Sequence, residues 1–216
     1  MTAFRHNDKI KEIFFERKHM KKNKFKIFFL AVSAYFAVCV LDLSLTYIAT
    51  PNLYLEGNPL VAYLDIGWTG LILINVITFV FYVALSFYAF VAYKAPKSNE
   101  TELRRYLADI NYGDPNKTVP FMWKLPKHWG PQIACLSWSV VLALPISRLI
   151  IVVEWLLLIF HVKAHWFFNI VILFPGGIID FFIAVLLAWI LSFVWIKIEF
   201  EKNLKIIKID KKQADN

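Results

Sequence analysis

Residues 26–49 read KIFFLAVSAYFAVCVLDLSLTYIA, an apolar run interrupted by a single carboxylate, Asp42. About 20 apolar residues in a helix are enough to cross a bilayer, so this run predicts a membrane span. Three more runs of the same kind follow, at 67–93, 132–160 and 166–196. All four are continuous rather than alternating, and all exceed strand length, which fits a β-barrel poorly. The expected fold is therefore an all-α integral membrane four-helix bundle occupying residues 26–196.

Charge sets the expected orientation. The 216 residues are 59% hydrophobic and 17% aromatic, yet the net charge is +8. That balance excludes a disordered chain, a collagen-like chain and an ordinary soluble enzyme. Nine Lys and Arg lie in residues 1–26, seven in the connection 94–131 and six in the tail 197–216. The two remaining connections hold none (50–66) and one, Lys163. By the positive-inside rule both termini are cytoplasmic, with 1–25 and 197–216 as basic tails and 94–131 as a cytoplasmic loop. The basic segments sum to +11, the outer loops to −1 and the spans to −2. This places the basic excess against the bilayer and anionic lipid headgroups rather than nucleic acid. A secretory signal is a poor fit, because the first run continues past Cys39 into Leu41 with no small-residue cleavage site before Asp42. Cys39 and Cys135 fall in different spans and form no CxxC pair.

The connections carry their own local signals. In the 94–131 loop, Asn99 and Glu102 have N-cap and N3 spacing, and Leu103, Tyr106, Leu107 and Ile110 follow at helical spacing. Gly113 is expected to stop that helix, with Asp114-Pro115-Asn116 turning. Trp123 and Trp129 stand among Pro120, Pro126 and Pro131 as interfacial anchors. The last span is interrupted by Pro175-Gly176-Gly177, read either as a kink or as a broken helix exposing backbone to a ligand.

Charges inside a bilayer cost about 2.5–3.5 kcal/mol each at its centre on insertion scales, which makes them functional candidates. The spans contain four: Asp42, Arg148, Glu154 and Asp180. Asp42 and Arg148 each lie some 16 residues from the cytoplasmic end, about 24 Å at 1.5 Å per residue. Thr46 is one turn beyond Asp42 on the same face, Asn75 lies in the outer half of the second span, and Asn169 precedes Asp180. The polar residues thus collect in the middle and outer half of the spans. Arg148 is expected to pair with Asp42 or with Asp180, either fixing helix register or leaving the other acid for a ligand. His161 and His165 have i, i+4 spacing and form a weak metal-ligand pair with no HExxH motif.

The segment from Asp42 through Thr46 to Glu56-Gly57-Asn58-Pro59 resembles a family of small prokaryotic multi-span membrane proteins of unknown function. Their pattern is Asp-x3-Thr near the end of one span and Glu-x-Asn-Pro opening the next. The resemblance covers about 20 residues and implies a prokaryotic cell membrane, with Asp42, Thr46, Glu56, Asn58 and Pro59 as signature positions. Family members often carry a Lys in the following span. None occurs between Leu71 and Tyr93, which leaves Arg148 as the candidate for that charge. Independently of the family, Asn58-Pro59 reads as a helix start with Glu56 near its positive end.

Three functions remain open at this point. One is an outward-facing polar pocket for a small ligand or cation, lined by Asp42, Thr46, Glu56, Asn58, Asn75, Arg148, Glu154 and Asp180. The second is an intramembrane enzyme on a lipid-linked substrate, with metal as an option at His161 and His165. The third is a non-catalytic assembly subunit, in a homo-oligomer or with a membrane-complex partner. The sequence names no cofactor.

Overall fold

The computed structural model describes residues 2–54, 66–117, 125–161 and 178–214. Among them the chain is all-helical, with five helices and no strand. They are α1 (Thr2–Ala49), α2 (Gly67–Phe87), α3 (Leu103–Tyr112), α4 (Gly130–Ile159) and α5 (Ile178–Ala214). α1, α2, α4 and α5 are long and apolar enough to cross a membrane, over Asn23–Ala49, Gly67–Ala92, Gly130–Ile159 and Phe182–Lys212. These agree closely with the first three expected spans. The helices extend into both basic tails, since α1 starts at Thr2 and α5 runs to Ala214. Residues 162–177, including Pro175-Gly176-Gly177 and Asn169, lie outside the described residues.

The bundle is apolar outside and partly polar within. Phe29, Leu30, Phe81, Leu136 and Trp189 are exposed, whereas Tyr35, Tyr82, Ser86, Ser137 and Ser139 are almost fully buried. Lipid tails are as apolar as leucine, so membrane helices associate through close packing, small residues and hydrogen bonds rather than burial of oily surface. α4 is the hub, making its broadest contacts with α5 and α1. Its small buried residues Ala134, Ser137, Val141 and Ala143 allow that approach.

α1 and α2 run antiparallel in a register fixed by aromatic pairs. Phe28 meets Phe87, Tyr35 stacks on Tyr82 at 3.9 Å, Phe36 meets Phe79 and Tyr47 meets Trp68. Each step along one helix is matched by a step back along the other. Beyond Phe87 the second helix widens into a π-turn, Tyr88–Ala92, closed by the Tyr93 N–H on the Tyr88 carbonyl at 2.9 Å.

α3 differs from expectation at its start. Its N-cap is Glu102, with no side-chain capping bond, so the Asn99–Glu102 capping pair does not form. Instead Ser98 Oγ accepts the Glu100 N–H at 3.2 Å, turning the chain three residues before the helix begins. Its end agrees with expectation. Gly113 adopts φ 68°, a left-handed conformation that glycine takes without a Cβ penalty, and its N–H closes on the Asp109 carbonyl. Asp114 Oδ1 accepts the Asn116 N–H, completing the turn.

Candidate functional site

The Tyr35–Tyr82 stack and the Tyr82 hydroxyl, 3.1 Å from the Val141 carbonyl, mark one level at which α1, α2 and α4 meet. Seven residues, about two helical turns, separate that level from the next buried polar layer. Moving out by seven leads to Asp42 on α1, Asn75 on α2 and Arg148 on α4. The Arg148–Asp42 contact bears this out, with Arg148 Nη1 donating to Asp42 Oδ2 at 2.8 Å. Of the two partners the sequence allowed, Arg148 takes Asp42.

The pair is enclosed, with both side chains only 12–16% exposed. Arg148 also lies over the Tyr35 ring, 5.7 Å from its centroid, where the guanidinium meets the negative ring face. Trp155, one turn beyond Val152, faces the Asp42 carboxylate and packs with Leu45 and Val152. Opposite charges at hydrogen-bond distance cancel most of each other's field, and that is what makes their removal from water tolerable.

The neutral polar residues each donate back to their own helix. Thr46 is buried and its hydroxyl donates to the Asp42 backbone carbonyl at 3.0 Å. Asn75 Nδ2 donates to the Leu71 carbonyl at 2.9 Å. Each bonds back one turn along its own helix, as polar side chains in membrane helices often do. Asn75 nonetheless keeps its Oδ1 buried with no hydrogen-bond partner among the described residues, and so does the Tyr35 hydroxyl.

The other candidates fall elsewhere. Glu154 lies on α4, half-buried, five residues before the helix end. Asp180 stands in the first turn of α5, with only its backbone described. Glu56, Asn58 and His165 lie outside the described residues. His161 lies just beyond α4, which ends at Ile159, and takes φ 52°. Among the described residues no three His, Cys, Asp or Glu side chains gather as a metal site.

A second buried polar cluster, which the sequence reading passed over, sits at the basic end. Asn203 of α5 accepts the Ser98 N–H on Oδ1 and donates Nδ2 to the Glu100 carbonyl, each at 3.3 Å. One turn earlier on α5, Glu199 is buried and pairs with Lys202, whose side chain is 62% exposed. Tyr106 of α3 packs its ring on Phe200, and burial together with the nearby Glu199 carboxylate pushes its hydroxyl up to about 12. Asn111 then ties α3 to the start of α4. Its carbonyl accepts the Lys127 and His128 N–H groups, and its Oδ1 accepts Gln132 Nε2 at 2.8 Å. The buried face of α3 is thus spent on protein.

Comparison with known proteins finds no match, whether to a family model, a curated protein or a solved structure.

Proposed function

We propose that this multi-pass membrane protein binds a small polar ligand at the Asp42–Arg148 layer, reached from the outer side of a cell membrane with both termini cytoplasmic. The buried 2.8 Å pair carries the reading, because two in-span charges are retained where apolar packing costs less. Pairing also narrows the ligand. Arg148 already neutralises Asp42, so a bare cation gains little there, whereas a zwitterion offers each charge a replacement partner. The unpartnered Asn75 Oδ1, at the same level by register, supplies an acceptor for an ammonium or amide donor. The motif resemblance would add Glu56 and Asn58 to the entrance. The basic tails, 22 Lys and Arg with the 94–131 loop, favour anionic headgroups at the opposite face.

Thermal unfolding of the detergent-solubilised protein with glycine betaine, γ-aminobutyrate, choline or sodium chloride tests this. At least one of the two zwitterions should raise the midpoint of the wild type and leave the Asp42→Asn/Arg148→Gln double variant unmoved. A response to neither zwitterion, or one retained by the double variant, refutes the reading.

A further inference from the structure

Pro145 lies inside α4, four residues after Val141 and three before Arg148. A proline there has no N–H for the carbonyl four residues back, and its ring crowds that carbonyl away. The Val141 carbonyl therefore loses its helical donor at a depth where no bulk water replaces it. The Tyr82 hydroxyl, arriving from α2, stands 3.1 Å from that same oxygen. Its next acceptor, the Ala31 carbonyl, is farther away at 3.3 Å and keeps its own helical donor position filled by a non-proline residue, Tyr35. Tyr82 is 1% exposed, and its ring stacks on Tyr35, over which the Arg148 guanidinium lies.

We infer that Tyr82 is a positioning residue for Arg148: its hydroxyl replaces the backbone donor that Pro145 removes and so latches α4 at its hinge. A proline loosens a helix at a defined point, and everything beyond it swings as one piece. Here that piece carries Arg148, Val152 and Trp155, the whole α4 side of the polar layer. With the hydroxyl bonded to Val141, the outer part of α4 is held against α1 and Arg148 meets Asp42. Without it, the carbonyl seeks another donor and the outer part of α4 is released. The latch acts on the ion pair itself, whether or not that pair takes a ligand.

The test is a cycle between two substitutions. Tyr82→Phe keeps the ring stack and deletes the donor, while Pro145→Ala restores the helical N–H to Val141. In a background with Cys39→Ser and Cys135→Ser, spin labels at Ile48→Cys and Val153→Cys report the α1–α4 separation by pulsed dipolar spectroscopy. Tyr82→Phe should broaden and lengthen that distance and lower the thermal midpoint by about 2–4 °C. With Ala at 145 the same Tyr82→Phe change should do neither. An equal effect in both backgrounds makes Tyr82 a packing residue and overturns the latch, as does no effect in either. Should Pro145→Ala fail to fold, Tyr82→4-aminophenylalanine retains the ring and a donor. It should match the wild type, and behaviour like Tyr82→Phe refutes the proposal.

Discussion

Asp42 and Glu199 are both buried carboxylates bonded to a cation, and the two pairs nevertheless do opposite jobs. Asp42 reaches across the bundle to Arg148 on another helix, and both members are enclosed. Glu199 bonds to Lys202 three residues along its own helix, and that lysine stands largely in solvent. The first pair joins two elements, and both of its charges are enclosed. The second fixes nothing between elements. There the joining is done by Asn203, whose side-chain amide bonds to backbone, and by Asn111, through its backbone carbonyl and its side-chain bond with Gln132. Deep in the bundle, α1 and α4 are joined by charge; at the basic end, the joining is done by amides satisfying a chain segment that would otherwise present bare N–H and C=O groups.

Breaking each pair should therefore have very different effects. Asp42→Asn leaves Arg148 enclosed and uncompensated, for an expected loss of about 3–5 kcal/mol, and adding Arg148→Gln should recover most of it. Glu199→Gln should cost well under half as much, because Lys202 is solvated with or without its partner. Thermal or denaturant unfolding in detergent measures all four proteins. A double variant no better than Asp42→Asn alone would mean that the pair is not a coupled unit.

Much of the first cluster was legible in the sequence, and almost none of the second. Asp42 and Arg148 stand out because a charge in an apolar run has a cheaper alternative at every position. Their equal depth followed from counting residues along the helix. What the sequence reading lacked was the layer spacing. Tyr35 to Asp42, Tyr82 to Asn75 and Val141 to Arg148 are each separated by seven residues, the two-turn repeat of a packed helix seam. That pattern was available, as was Pro145, whose carbonyl four residues back needs a donor from outside. Thr46 donates its hydroxyl to its own backbone, a local bond that composition cannot reveal. Glu199 and Asn203 were invisible for a different reason. They sit in a charged stretch of ordinary solvated appearance, and only the return of the 94–112 segment onto α5 buries them.

Asn203 offers the next sharpest comparison. Asn203→Ala removes the acceptor for Ser98 and the donor for Glu100 together, an expected loss of about 1–3 kcal/mol confined to the basic end. Trypsin should then cut faster at Lys94 and Lys97, while the Ile48–Val153 label distance stays as in the wild type. A change in that distance would mean that the two clusters are coupled along α4 or α5, and their separation into independent regions would be wrong.

The smallest effect is expected from pH, and it separates the clusters by chemistry rather than by mutation alone. Tyr106 titrates near 10 when unfolded and is pushed up to about 12 in the folded chain, by burial first and then by the Glu199 carboxylate. Between those values the unfolded chain has released the phenolic proton and the folded chain has not. Proton binding thus favours the folded state, and its stability falls as pH rises from 10 to 12. The contribution is complete below pH 10 and absent above the folded value. Tyr106→Phe removes the titrating group, so the variant's unfolding midpoint should fall less steeply across that window than the wild type's. Glu199→Gln should lower the pH at which that slope ends, and by the smaller share of the shift, since the carboxylate is the second cause and burial the first. Identical slopes for wild type and Tyr106→Phe would place the alkaline loss in groups other than Tyr106.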